Sequence, residues 1–156
     1  MSRFKTIVPV PLGEIRRIEG KLGATAIAGL LMTATDKFAA GNSKHSQNEG
    51  ATFTLNGAGN NKGLVILMET DDNPTGEITA SRPADSWGRG HVVKAGEEVT
   101  VVLGATAAVV GGTTLLKTMA GGKVETGTAG DAAFSAIESA ASGATGDDVR
   151  ILARVL

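Results

Sequence analysis

Lys94-Ala95-Gly96-Glu97-Glu98-Val99-Thr100-Val101-Val102-Leu103-Gly104 and Gly146-Asp147-Asp148-Val149-Arg150-Ile151-Leu152-Ala153-Arg154-Val155-Leu156 are the stretches that decide the fold class. In each, an acidic turn opens directly into a run rich in β-branched residues, as strands of a hairpin protein are written. The residues between them keep the pattern. Short apolar pieces at 107–110, 113–116 and 123–125 are separated by Gly111-Gly112 and Gly121-Gly122. Strand-like pieces about ten residues apart with glycine between them predict an all-β sandwich or barrel. Segment 131–141 is ambiguous. Phe134, Ile137 and Ala141 sit at helical spacing, while Ala132, Phe134 and Ala136 alternate. Its neighbours favour strand.

Toward the N-terminus the pattern thins. Leu64-Val65-Ile66-Leu67-Met68 is an apolar run of buried-strand length, and Thr52-Phe53-Thr54-Leu55 alternates as a half-buried strand does. Residues 22–35 read as a turn leading into a strand, and 36–50 as an exposed polar loop. Residues 69–90 are polar, with Pro74, Pro83 and three glycines. Structureless loops of that length are uncommon and usually functional, so a partner-contacting excursion is expected there. Residues 1–13 read as an extended arm. Thr6-Ile7-Val8 is β-prone, but Pro9-Val10-Pro11 lacks the donors a central strand needs. Such a segment is suited to adding an edge strand to a neighbour's sheet. The expected fold is mainly β: a small antiparallel β-sandwich or barrel with at most one or two short helices. An extended N-terminal arm covers 1–21, and one β-rich domain covers 22–156 with its long loop at 69–90.

Composition removes several function classes. The 156 residues carry a net charge of -1, which argues against a general nucleic-acid binder. Aromatic residues make up 3%, with no tyrosine and the single Trp87, too few for a base-stacking platform. The absence of cysteine removes disulfides and thiolate metal sites. No run approaches the roughly 18 apolar residues that span a bilayer, and the N-terminus lacks a signal-peptide core, so a soluble, non-exported protein is expected. Charge is concentrated at the start. Arg3, Lys5, Arg16, Arg17 and Lys21 face only Glu14 and Glu19 within the first 23 residues. That arm is either simply solvated or docks on an acidic partner.

Each motif that could carry chemistry lacks a required residue. His45 and His91 lie in polar surroundings with no Gly-x-Ser-x-Gly elbow, and surface-loop histidines are the expectation. No His-Glu-x-x-His pair exists to hold zinc. Asp71-Asp72-Asn73-Pro74-Thr75-Gly76-Glu77 resembles a calcium loop, but the bidentate glutamate six residues past the glycine is replaced by Arg82. Gly57-Ala58-Gly59 is followed by Gly63, one residue too far for a dinucleotide fingerprint, and precedes a strand. Gly121-Gly122-Lys123-Val124 lacks the Ser or Thr of a phosphate loop.

Taken in order, several stretches give the chain past its arm a resemblance to the head decoration, or capsid cement, proteins of tailed bacteriophages. These are Ile18-Glu19-Gly20-Lys21-Leu22-Gly23-Ala24-Thr25-Ala26-Ile27-Ala28-Gly29-Leu30-Leu31, Lys94-Ala95-Gly96-Glu97-Glu98-Val99, Gly111-Gly112-Thr113-Thr114-Leu115-Leu116, Gly121-Gly122-Lys123-Val124 and Gly146-Asp147-Asp148-Val149-Arg150-Ile151. Each is a generic turn before a strand, so the order and the closing strand carry the likeness. Residues 71–90 depart from it. The resemblance implies a virion protein, made in the host cytoplasm, that binds the outer surface of the head. There it bridges neighbouring major capsid subunits and stabilises the capsid against internal DNA pressure. It also implies a homotrimer, with a dimer second, and no catalytic residue, cofactor, metal, nucleic acid or membrane. On this reading Arg3, Phe4, Lys5, Ile7, Val8, Pro9, Arg16 and Arg17 of the arm contact the capsid. Asp71, Asp72, Arg82, Trp87 and Arg89 form a candidate contact loop. The alternatives are a surface-displayed receptor- or glycan-binding module, in which Trp87 alone would stack on sugar, and a small hydrolase using His45 or His91.

Overall fold

The computed structural model describes residues 17–34, 51–61, 63–68, 81–104, 107–143 and 149–156. Ten strands follow one another along them: β1 (Arg17–Leu22), β2 (Leu31–Ala34), β3 (Ala51–Leu55), β4 (Leu64–Leu67), β5 (Trp87–Val92), β6 (Glu98–Val102), β7 (Leu115–Thr118), β8 (Val124–Thr126), β9 (Phe134–Ala136) and β10 (Arg150–Val155). Among the described residues there is no helix. The mainly β, barrel-containing fold predicted from the sequence is the one found.

The two acidic-turn runs that decide the fold class contribute strands that are neighbours in space. β6 and β10 pair antiparallel, with Arg150 opposite Val102 and Arg154 opposite Glu98. The Arg154 guanidinium donates to Glu98 Oε1 at 2.8 Å across that last pair. They belong to a five-stranded sheet in the order β6-β10-β9-β7-β8. An isolated bridge joins Leu103, just past β6, to Val124 of β8, and the Gly104 N–H donates to the Val124 carbonyl. The edges of this sheet therefore touch each other.

The first five strands close a barrel in the order β1-β3-β2-β4-β5. Its pairings are antiparallel except one: β1 runs parallel to β3, with Gly20 opposite Ala51 and Leu22 opposite Phe53. Leu22, Met32, Phe53, Val65 and Leu67 fill its interior. Leu31, Leu64 and Ile66 point the other way, into a second core shared with Val99, Val101, Leu116, Phe134, Ile151 and Ala153. Adjacent residues of β4 thus serve two cores, which is why 64–68 reads as an unbroken apolar run. Buried side chains of this size are each worth roughly 1.5–3 kcal/mol relative to exposure.

The ambiguous segment resolves as strand. Phe134 and Ala136 are buried, and Ser135 between them is only partly covered, which is period-two burial. Residues 107–110 contribute only a bridge from Val109 to Ala140, and the next strand begins two residues after the predicted start, at Leu115.

Barrel and sheet are joined by backbone. Leu31 N–H donates to the Gly122 carbonyl at 2.7 Å, and Gly122 N–H to the Asn56 carbonyl at 3.1 Å. Gly122 has φ +74°, and a Cβ there would lie 2.5 Å from the Leu31 carbonyl oxygen, so the joint requires glycine. The buried Asn56 side chain supports it, donating to the Gly57 and Asn60 carbonyls while its oxygen accepts from Thr33 Oγ1.

Two boundaries differ from expectation. The predicted arm, 1–21, yields its last five residues to β1, which lies in the barrel wall because Ile18, Gly20 and Leu22 face inward. The predicted loop, 69–90, ends in strand, since β5 begins at Trp87. Residues 1–16 and 69–80, and the predicted polar loop at 36–50, lie outside the described residues.

Candidate functional site

β5 reads Trp-Gly-Arg-Gly-His-Val, and the alternation sorts it into two faces. Gly88 and Gly90 face the barrel interior. A Cβ on Gly88 would meet Leu22 at 3.0 Å and Leu67 at 3.1 Å, and one on Gly90 would collide with Val65 and press on Phe53 at 3.2 Å. The narrow barrel leaves no volume for side chains at these positions, so β5 carries its large residues outside.

On β1 the same alternation sends Glu19 and Lys21 outward. The antiparallel register places Lys21 opposite Trp87 and Glu19 opposite Arg89. Trp87 is 49% exposed, one of three large apolar residues so exposed among the described residues, with Val110 and Leu156. Arg89 Nη2 lies 3.4 Å from Glu19 Oε1 in an exposed pair. Such a pair contributes at most about 1 kcal/mol to stability, which leaves both groups open to a ligand at little cost. The result is a four-residue face: one indole, two cations and one carboxylate.

The backbone beneath Trp87 is fixed. Asp85 has φ +64°, the one non-glycine residue with positive φ among those described. Its N–H donates to the Leu22 carbonyl at 2.8 Å, and Leu22 N–H donates to the Ser86 carbonyl at 2.9 Å. The Ser86 hydroxyl closes the turn onto the Pro83 carbonyl at 2.6 Å. The start of β5 is thereby tied to the end of β1.

Of the residues singled out from the sequence, Trp87 and Arg89 share this face. Arg17 opens β1 and pairs in register with His91. Arg82 is half-buried and acts as a brace: its backbone bridges to Ala26 and its Nη2 donates to the Met68 carbonyl at 3.0 Å. Asp71, Asp72, Arg3, Phe4, Lys5, Ile7, Val8, Pro9 and Arg16 lie outside the described residues. Glu19 and Lys21 were not singled out. Arg-Ile-Glu-Gly-Lys-Leu alternates cleanly, but its position inside the expected arm hid the signal.

His91 corrects an expectation. It is no loop residue: its side chain is fully buried, with Nε2 2.7 Å from Glu97 Oε2. The Lys94 N–H donates to the same oxygen at 2.9 Å. The pair spans the link from β5 to β6 and has no access to solvent, an arrangement for holding two halves together. His45 lies outside the described residues. Among the described residues no group of three or more His, Asp or Glu side chains forms a metal-ligand set.

No protein-family model and no curated protein matches the sequence. Solved structures do. The N base of head fiber gp8.5 in bacteriophage phi29 aligns with a TM-score of 0.55, covering 92% of this chain and 95% of that one, at 9% identity. The chain shares the fold of a phage head-fiber base. Coverage on both sides is nearly complete, so the likeness takes in barrel and sheet together. At 9% identity it is a likeness of fold and carries no individual side chain across.

Proposed function

We propose that the protein is a non-enzymatic structural component of a tailed-phage virion, bound to the outer surface of the head. Two independent lines support this: the order of turn-and-strand motifs that resembles head decoration proteins, and the near-complete fold match to the base of a phage head fiber. The fold match is the observation that carries the reading.

In its finer form, the protein cements neighbouring major capsid subunits, and self-associates as a homotrimer about a lattice axis. The charge excess of the first 23 residues supports placing the capsid contacts in the N-terminal segment, with Arg3, Phe4, Lys5, Ile7, Val8, Pro9, Arg16 and Arg17 as its contact residues. A ligand that binds only the assembled lattice stabilises it by mass action, and repetition makes modest contacts collectively large. The test is co-sedimentation of purified protein with heads that lack it, followed by heating. Cementing predicts retention and a raised disruption temperature. Deleting residues 1–11 weakens retention while leaving the β-body folded. Retention without added head stability favours a second reading, suggested by the head-fiber neighbour: a seat that carries another element outward. Failure to bind heads overturns both.

A further inference from the structure

We propose that the outer face of β1 and β5, formed by Glu19, Lys21, Trp87 and Arg89, is an oligosaccharide-binding site. This is a second activity, separate from docking on the head.

The geometry comes first. Cross-strand neighbours on one face of an antiparallel pair are about 5 Å apart and successive same-face residues about 7 Å, so the four side chains stand at the corners of a small rectangle. The indole occupies one corner, half exposed over a backbone that the Asp85 turn ties to β1. The electron-rich face of an indole attracts the positively polarised C–H bonds on the flat side of a pyranose. Lys21 and Arg89 supply donors and Glu19 an acceptor, which suits hydroxyl groups that both give and take hydrogen bonds.

The same features weigh against other occupants. A stable protein interface needs roughly 800 Å² per partner around several apolar or arginine anchors. Trp87 is the single large apolar residue exposed on the barrel among the described residues, since Val110 and Leu156 belong to the sheet half. A nucleic acid calls for a basic surface and several aromatic platforms, against a chain charge of -1 and one tryptophan.

Topology adds an analogy of strand circuit. Read in the order β4, β5, β1, β3, β2, the barrel is antiparallel at each pairing except β1 with β3. That is the circuit of the five-stranded OB barrel, strands 1-2-3-5-4, with the chain ends moved between its second and third strands. OB barrels bind oligosaccharides and oligonucleotides on the face of those two strands. Here they correspond to β5 and β1, the strands that carry Trp87 and Lys21.

The chain has one tryptophan and no tyrosine, so its intrinsic emission reports this face alone. The full-length protein is titrated with chitohexaose, maltohexaose, cellohexaose and hexagalacturonate, and with a dT oligonucleotide, following emission and calorimetric heat. The proposal expects a saturable emission shift with at least one sugar. Its affinity falls about tenfold or more in Trp87→Ala and in Arg89→Ala, is partly restored in Trp87→Phe, and is unchanged in Val110→Ala. These positions are exposed, and circular dichroism checks that each variant folds. No saturable response to any of the four sugars overturns the proposal, as does a response to the oligonucleotide alone. Head binding is measured on the same variants. If Trp87→Ala abolishes it and no sugar binds, the face belongs to the capsid contact instead. If sugar binding holds while heads are not bound, only the head-surface reading falls.

Discussion

His91 Nε2 and Glu97 Oε2 meet at 2.7 Å with both side chains fully buried, where the chain passes from the barrel into the second sheet. The Lys94 N–H already donates to that oxygen, so the carboxylate acts as acceptor and His91 donates from Nε2. His91 Nδ1 is buried without a hydrogen-bond partner. Removing one partner strands the other. Glu97→Ala is expected to cost about 3 kcal/mol in urea unfolding, whereas Glu97→Gln, which keeps an acceptor, costs about 1 kcal/mol. Equal losses would show that the site needs the carboxylate's charge and that a neutral acceptor oxygen does not replace it.

The second prediction concerns barrel volume. Gly90→Ala places a methyl group against Val65 and Phe53 and is expected to destabilise by about 1–3 kcal/mol. Val65→Ala opens space at the same point. The double variant should therefore lose less than the two single losses added together, a coupling read from a double-mutant cycle. Additive losses would mean that the interior has room the structure does not show.

Gly121 and Gly122 make a matched pair. Both have positive φ, +80° and +74°, but a Cβ on Gly121 meets nothing within 4 Å whereas one on Gly122 meets the Leu31 carbonyl. Each alanine substitution carries the left-handed backbone cost of about 1–2 kcal/mol. Only Gly122→Ala should also loosen the barrel-to-sheet joint. Hydrogen exchange at the Leu31 amide, which donates to the Gly122 carbonyl, is expected to accelerate in Gly122→Ala and to change far less in Gly121→Ala.

Asp131 gives a pH-dependent prediction. Its carboxylate accepts from the Thr128 N–H at 2.6 Å and the Thr128 hydroxyl at 3.0 Å, with Lys117 Nζ at 3.5 Å. The backbone donor foremost, then the hydroxyl and the ammonium, hold its pKa below the ordinary value. A lowered folded pKa contributes stability above the unfolded pKa, and that contribution is lost as pH falls through the folded one. Wild type should therefore be more stable than Asp131→Asn at neutral pH, with the difference vanishing under acid. A difference that persists below pH 2 would assign the effect to hydrogen-bond geometry and not to charge.

How much of this was legible in the sequence depended on what fills each inward position. β6 and β10 announced themselves because Val99, Val101, Ile151 and Ala153 supply apolar side chains to a roomy core. β5 did not, because its inward residues are Gly88 and Gly90: the rule of apolar inside and polar outside is inverted where a barrel is too narrow for side chains. The glycines that looked like loop were the packing signal. β1 was hidden differently. Ile18 and Leu22 alternate with charges as a strand should, but no neighbouring turn marked a hairpin, because β1 pairs with β5 far along the chain and runs parallel to β3. The burial of His91 was out of reach for the same reason, since it depends on β5 lying between β1 and β4, both far from it along the chain.

The barrel has no free strand at its margin, and the second sheet brings its own margins together at Leu103 and Val124. Crowded side by side on a shell, sibling copies would find little unsatisfied backbone on one another's described strands to zip onto. Spacing between trimers would then be dictated by the surface beneath them, as tiles take their grid from the floor. A strand-donating N-terminal segment would have to find its acceptor in that floor rather than in the next tile.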